Sequence, residues 1–231
     1  MASLWRIFSS LCLAAPLFAG TVTGTVEVTG VRGAAGNSGV ALWLMPKNGG
    51  VPSDPRPGVA RMVQHHKQFQ PHVLAIRTGT AVDFPNLDPI FHNAFSNIDG
   101  QPFDVGLYPP GTSRRVVFHK SGIVRVFCNI HESMNAVIVV EDTPWLAVSN
   151  ERGGYTMSEV PPGDYTIHVF YDRATRQTLD NLVRGVSVGE GRTAIPLLQI
   201  SGTGYIAAPH KNKYGRDYPP ENRNGDYGPT P

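Results

Sequence analysis

The sequence has little cysteine, little net charge and no long apolar segment. Its 231 residues include only two cysteines, and the formal net charge is +2 at pH 7. It has no basic run and no basic stripe with interleaved aromatic residues, so we expect no nucleic-acid partner. The longest apolar run is too short to cross a bilayer, so we expect no transmembrane segment in the mature chain. Helix signals are also nearly absent.

The N-terminus has the pattern of a secretory signal. Arg6 precedes an apolar run that ends at Phe18, and the small residues Ala19 and Gly20 follow. A basic residue, a short apolar core and small residues at its end are typical of a signal peptide that is removed on export. We therefore expect residues 1–19 to be a signal peptide and the mature protein to be periplasmic.

Cleavage near Ala19 would remove Cys12 and leave Cys128 as the single cysteine of the mature chain. Exported proteins commonly form disulfides, but a single cysteine excludes one within the chain. Two interpretations remain. The cysteine can be a small buried hydrophobic residue, or its thiolate can bind a metal. The residues that follow it favour the metal.

Three metal-binding side chains follow one another closely after Phe127. Residues 128–134 read Cys-Asn-Ile-His-Glu-Ser-Met, which is the pattern C-x2-H-x2-M. A thiolate, an imidazole and a thioether together favour copper over zinc or a hard cation, and a second histidine would complete a trigonal electron-transfer site. His92 lies upstream in a strand-like run. The predicted ligands of one copper are His92, Cys128, His131 and Met134.

Alternation along the preceding strand supports this site. Val124, Val126 and Cys128 fall on one face of the strand, whereas Arg125 and Phe127 fall on the other. The sulfur is therefore predicted to point from the core face at the end of a strand. The loop that follows would return the histidine and the methionine toward it.

We also expect a dry shell and a hydrogen bond to the sulfur. Asn93, directly after His92, is the candidate for that hydrogen bond, from its backbone or its side chain. An apolar shell around a metal site tunes its redox potential. The candidates for the shell are Phe91, Phe95, Phe127 and Ile130.

The pattern of the whole chain predicts an all-β fold. Short runs rich in valine, isoleucine and phenylalanine alternate with turn residues, and the sequence contains 25 glycines and 20 prolines. The predicted strands are Thr23–Val28, Val40–Met45, Met62–Gln68, Val73–Arg77, Ala81–Pro85, His92–Ser96, Ser113–His119, Ile123–Cys128, Ala136–Val140, Tyr165–Phe170, Val183–Val188 and Ala194–Ile200.

Residues 61–142 resemble a cupredoxin, a blue-copper domain of the plastocyanin or amicyanin type. His92 and Asn93 match the first His-Asn pair of that family, and residues 128–134 match its C-terminal ligand loop with the short amicyanin-like spacing. The resemblance implies a Greek-key β-sandwich that holds one type-1 copper through the four predicted ligands.

Three further stretches, residues 70–74, 84–88 and 103–108, resemble a group of exported bacterial proteins that are often labelled methylamine-utilisation proteins. Nothing in these residues indicates methylamine itself. The resemblance extends over most of the mature chain.

A second module is indicated on either side of the copper block. Residues 150–155 and 160–165 resemble the transthyretin-like, carboxypeptidase-regulatory-like β-sandwich, whose opening strands resemble residues 24–26 and 40–44. We expect a cupredoxin inserted into this sandwich, or packed with it as one unit. Alternatively, the Pro-Pro-Gly sequence is an ordinary hairpin turn. The predicted division is 1–19 signal peptide, 20–47 first sandwich strands, 48–60 linker, 61–142 cupredoxin domain, 143–200 remaining sandwich and 201–231 extended or disordered tail.

The remaining residues do not suggest an enzyme. The sequence has no Ser/His/Asp order, no paired catalytic carboxylates and no glycine-rich phosphate loop, and the other histidines lack ligand spacing. The first hypothesis is an electron carrier that works between redox proteins such as periplasmic cytochromes or a dehydrogenase. The second is a periplasmic copper-handling protein without an electron-transfer role, and a weaker third is a docking module in which copper is structural.

Overall fold

The computed structural model describes residues 19–31, 36–52, 58–207 and 209–219. Almost all of the predicted signal peptide, together with Cys12, lies outside the described residues. The described chain is almost entirely β, as predicted. The described residues contain one helix, α1 (Arg176–Asp180), and it is not long and apolar enough to span a membrane.

The strands of the described chain are β1 (Gly20–Thr29), β2 (Ala41–Pro46), β3 (Val59–Arg61), β4 (Val63–His65), β5 (Gln68–Gln70), β6 (Val73–Arg77), β7 (Ala81–Pro85), β8 (Phe95–Ser96), β9 (Phe103–Asp104), β10 (Ser113–Val117), β11 (Gly122–Phe127), β12 (Asn135–Glu141), β13 (Leu146–Val148), β14 (Gly154–Val160), β15 (Gly163–Phe170), β16 (Arg184–Val188), β17 (Arg192–Ala194) and β18 (Leu198–Ser201).

Strands from the two ends of the described chain form one β-sandwich. β1 pairs antiparallel with β14 and parallel with β17 and β18. β2 pairs antiparallel with β13 and β15, and β15 pairs with β16. Alternate side chains of the two sheets face each other and exclude water between them. The centre of this core includes Val22, Leu42, Tyr155, Ile167 and Leu198.

The intervening chain forms a second sandwich. One sheet has the order β6-β12-β11-β8-β9, and a smaller sheet has the order β10-β7-β3. Val82 and Phe84 of the small sheet pack against Val124, Val126 and Ile138 of the large one. Cys128 and Met134 are fully buried in this same core.

The two sandwiches share an apolar contact. β12 is buried on both faces, because its odd-numbered residues Val137 and Val139 point away from the second core toward the first sandwich. This explains its uninterrupted apolar sequence. A side-chain hydrogen bond also joins the two units, with His72 Nε2 2.8 Å from Asp172 Oδ2. The other buried members of this contact are Ala41, Val73 and Phe170.

Three predicted strands are interrupted or shortened. Ala194–Ile200 is divided between β17 and β18, because residues 195–197 form no strand. Met62–Gln68 is interrupted after His65, since His66 and Lys67 have φ values of 54° and 55° and turn the chain into the antiparallel hairpin β4–β5. Non-glycine residues adopt such values rarely, so the sequence does not signal this turn. His92–Ser96 contains strand only at Phe95 and Ser96. His92 instead forms an isolated antiparallel bridge with Tyr108.

Candidate metal centre

Three predicted ligands converge in the second sandwich. Cys128 Sγ lies 3.9 Å from His92 Nδ1 and 3.7 Å from His131 Nδ1. All three atoms lie within 4.8 Å of one another. First-row ions bind imidazole nitrogen at about 2.0 Å and thiolate at about 2.3 Å, which places two such donors about 3.7 Å apart at an angle of about 120°. The donors are therefore spaced to share one trigonally coordinated ion.

The hairpin between β11 and β12 positions two of these ligands. Residues 128–134, which we call the ligand loop, connect the paired ends of the two strands at Phe127 and Asn135. The Cys128 N–H donates to the carbonyl of Met134 at 3.1 Å, and the Met134 N–H donates to the carbonyl of His131 at 3.2 Å. These bonds fold the loop back on itself, as predicted. Met134 enters the same apolar core as Cys128.

His92 is fixed by its backbone and by its ring. Its N–H donates to the Tyr108 carbonyl at 3.2 Å and its carbonyl accepts from the Tyr108 N–H at 2.9 Å. Its Nε2 lies 2.8 Å from Asp88 Oδ2, and both side chains are buried. A proton on Nε2 directed at this carboxylate leaves Nδ1 free to bind a metal. Burial lowers the pKa of His92, which favours the neutral, ligating imidazole.

Asp88 is a site residue that the sequence analysis missed. Its carboxylate accepts from the backbone N–H of His66 at 2.6 Å and of Lys67 at 2.8 Å. Burial alone would raise the pKa of Asp88, but the hydrogen bonds from Lys67, His92 and His66 outweigh it and hold the pKa below its ordinary value. Asp88 therefore carries a negative charge behind His92. No local pattern marks this role in the sequence, because a spacing of four residues brings side chains together only in a helix, and residues 86–92 form none.

His131 has a more open environment than His92. It is partly exposed, whereas His92 is fully buried. The two imidazole rings meet edge to face with their centroids 5.0 Å apart. Phe91 and Leu107, which flank the bridge between His92 and Tyr108, are 54% and 52% exposed. The centre thus has one enclosed histidine, one histidine with access to solvent and exposed apolar side chains in the loops around the bridge.

The apolar shell differs in part from the prediction. Phe95 and Phe127 are buried and their rings lie 5.8 Å apart, and Ile130 packs against the second core. Phe91 is mostly exposed and does not belong to a buried shell. Phe91 directly precedes His92, and adjacent side chains of an extended segment point to opposite sides, so Phe91 faces solvent while His92 is buried.

The amide nitrogen of Asn93 has another partner than the predicted one, and a bond from the Asn93 backbone to the sulfur stays a prediction. Asn93 Nδ2 donates to Asp104 Oδ1 at 2.8 Å rather than to the sulfur. The Asn93 carbonyl accepts from Gln64 Nε2 at 3.2 Å, in a buried position. These bonds fix the residue beside His92 to its surroundings, so Asn93 supports the loop that carries the histidine.

The other histidines form no second centre in the part of the chain that the structure describes. Within it, the only group of three or more His, Cys, Asp or Glu side chains with converging ligand atoms is His92, Cys128 and His131. The His65 and His66 rings stack on each other with centroids 3.8 Å apart. The pair lies at the β4–β5 turn, with His65 partly buried and His66 exposed.

Among curated proteins, the chain is similar to the methylamine utilization protein MauL of Methylorubrum extorquens. The two are 37% identical over 68 residues, which cover 29% of this chain and 60% of MauL. The chain therefore spans less than two thirds of the length of this relative. The predicted resemblance to methylamine-utilisation proteins is confirmed. No protein-family model matches the chain.

Three solved structures also resemble part of the chain. The Cu-containing nitrite reductase of Thermus scotoductus is 29% identical, with a TM-score of 0.34, over 42% of this chain and 25% of that protein. A purple cupredoxin of Nitrosopumilus maritimus is 22% identical, with a TM-score of 0.32, over 35% and 98%. A variant of amicyanin in its oxidized state is 17% identical, with a TM-score of 0.34, over 36% and 83%. The likeness of the first sandwich to carboxypeptidase-regulatory modules stays a prediction.

Proposed function

We propose that this chain is an exported type-1 copper protein that carries single electrons between redox partners. The observation that carries the proposal is the convergence of His92 Nδ1, Cys128 Sγ and His131 Nδ1 beside the core. One thiolate and two imidazoles are the equatorial donors of blue-copper centres, and a weak axial methionine completes them. Met134, buried in the same core as the cysteine, is the proposed axial ligand.

Each ligand has a proposed role. When bound, copper supplies a centre that alternates between Cu(I) and Cu(II). Cys128 would provide the covalent electronic path from that centre into the protein. His92, held by its bridge to Tyr108 and by Asp88, would keep one nitrogen fixed in both oxidation states. His131, the more accessible imidazole, would be the place where the electron enters and leaves.

The exposed loops support a transient partner surface. Leu87, Phe91 and Leu107 are large apolar side chains that are each more than half exposed, on either side of the bridge that holds His92. Exposed apolar patches mark interaction sites, and a small one suits a short-lived electron-transfer complex. We propose that periplasmic redox proteins, such as cytochromes or a dehydrogenase, dock there.

We also propose that the copper domain is inserted into the first sandwich. The pairing of β1 with β14, β17 and β18, and of β2 with β13 and β15, supports this division, because strands before the copper block pair with strands after it. On this proposal the sandwich begins with residues 20–47, continues with residues 143–200 and holds the copper domain through the shared apolar contact at β12.

Loading the mature protein with Cu(II) tests the proposed centre. We expect one copper per chain and an intense visible absorption from thiolate-to-Cu(II) charge transfer. Cys128→Ser should abolish that absorption, whereas Met134→Leu should retain copper and raise the reduction potential because it removes a donor to Cu(II). A colourless Cu(II) protein, or a preference for zinc over copper, would overturn the proposal.

Exchange with a chelator separates an electron carrier from a copper-handling protein. A carrier keeps its ion through many redox cycles, so a copper(I) chelator should remove the metal slowly. A handling protein must deliver its cargo and should release it readily. Rapid, complete transfer to the chelator would therefore favour copper handling.

A further inference from the structure

The segment after the first sandwich returns to the ligand loop. Residues 209–219, which we call the strap, contain neither helix nor strand. The Tyr218 hydroxyl donates to the Cys128 carbonyl at 2.9 Å, and the Lys213 N–H donates to Asn129 Oδ1 at 3.1 Å. His210 Nε2 lies 3.1 Å from the carbonyl oxygen of Glu132. The strap thus contacts the ligand loop at three positions.

Aromatic stacking and an ion pair also attach the strap. The His210 ring stacks on Phe127 with centroids 4.0 Å apart and planes 28° apart, and the Tyr218 ring meets it edge-on at 5.3 Å. Lys213 Nζ lies 2.7 Å from Asp104 Oδ2, the carboxylate that also accepts from the residue after His92. The attachments therefore extend to the residue before the ligand loop and toward the loop of the buried histidine.

The Tyr218 hydrogen bond completes the backbone pairing of the cysteine. The Cys128 N–H already donates to Met134, so Tyr218 satisfies the carbonyl of the same residue. Burial of its hydroxyl raises the pKa of Tyr218, in agreement with a desolvated contact. A loop that has no bound metal tends to open, because opening increases its conformational entropy. Hydrogen bonds from a neighbouring segment oppose this local opening.

We propose that the strap is a positioning element that holds the ligand loop in its ligating geometry before copper binds, with Tyr218 as its principal positioning residue. The importance of this geometry rests on the proposed copper function, but the clamping of the loop does not. Two consequences follow: the copper-free loop is already ordered, and bound copper is lost slowly because the loop must open against the strap.

Amide hydrogen exchange of the copper-free, full-length mature protein tests the clamp. Tyr218→Phe removes only the hydroxyl, and the loss of one hydrogen bond should accelerate exchange of the Cys128 and Met134 amides about fivefold. Tyr214→Phe is the matched control, because Tyr214 lies in the same strap and is 69% exposed. The substitution also keeps the aromatic ring that lies beside the Lys213 ammonium. Exchange within β14, in the other sandwich, should stay unchanged in both variants.

His210→Ala provides a second variant. It removes the stack on Phe127 and the edge-on contact with the Tyr218 ring, but it leaves the Tyr218 hydroxyl in place. It should also accelerate loop exchange. If neither variant changes the exchange of the loop amides, the strap does not hold the loop and the proposal is wrong. If one variant loses amide protection throughout the protein, it has become globally unstable, and the exchange of the loop amides in the other variant decides the test.

Copper release gives a second readout that separates this proposal from the proposed function. Tyr218→Phe should lose copper to a chelator about fivefold faster than Tyr214→Phe. Faster loop exchange in a protein that never becomes blue would support the strap and contradict the blue-copper function. Conversely, the wild-type protein could be blue while Tyr218→Phe and Tyr214→Phe show the same loop exchange and the same copper release. That result would support the blue-copper function and contradict the strap.

Discussion

At the scale of single residues, the buried carboxylate behind His92 is expected to change the properties of the metal without binding it. Asp88 accepts one hydrogen bond from the imidazole and two from the β4–β5 turn, so its charge is fixed in place. A carboxylate on the outer nitrogen of a ligating histidine orients the ring and makes it a stronger donor. It should therefore stabilise Cu(II) relative to Cu(I).

Asp88→Asn tests this effect. Removing the charge should raise the reduction potential, and the affinity for Cu(II) should fall about tenfold to a hundredfold. Voltammetry and competition titration measure the two quantities. Asp83→Asn is a suitable control, because Asp83 is a carboxylate paired with Arg115 at the surface. Equal potentials in the wild type and in Asp88→Asn would show that the carboxylate does not act on the metal.

At the scale of elements, β1 is the strand that joins the two ends of the first sandwich. Gly24 in β1 lies opposite Tyr155 in β14. A Cβ at Gly24 would lie 2.3 Å from the Tyr155 hydroxyl and 2.5 Å from the ring carbon that bears it. An aromatic ring in a core cannot move aside without displacing its neighbours, so this close approach requires glycine.

Gly24→Ala should lower the free energy of unfolding by about 1 to 3 kcal/mol, the usual cost of overpacking. Tyr155→Leu should partly restore stability in the Gly24→Ala background, because it removes the clashing atoms. Gly50→Ala is the control, since a Cβ there meets no atom within 4 Å. Urea denaturation measures all four proteins. A Gly24→Ala variant as stable as the wild type would contradict the contact between β1 and β14.

At the scale of the whole molecule, the proposed insertion predicts that the first sandwich depends on both ends of the chain. A fragment of residues 143–231 lacks β1 and β2, which supply the middle of its two sheets. It should show no cooperative thermal unfolding, because the apolar faces of β14 and β15 would remain uncovered. Adding residues 20–47 as a separate peptide should restore some structure. A fragment that is well folded alone would contradict the insertion.

The sequence predicted most of the fold, because apolar alternation and turn residues are local signals. Cys128, His131 and Met134 lie on one hairpin, so their spacing alone indicated a shared site. Asp88 and the strap were missed for a different reason. The strap contacts join residues that are distant along the chain, such as Tyr218 and Cys128, and no periodic pattern marks them. Asp88 is close to His92 in sequence, but its orientation depends on the distant β4–β5 turn. The division into two modules and the set of four ligands remain predictions.

Voltammetry of the copper-loaded mature protein tests the central claim most directly. An electron carrier whose ligands stay in place in both oxidation states should give one reversible one-electron couple, with no loss of signal over repeated cycles. Cys128→Ser should lack that couple, which assigns it to the proposed centre. An irreversible wave, or loss of copper on reduction, would contradict electron transfer as the function of this protein.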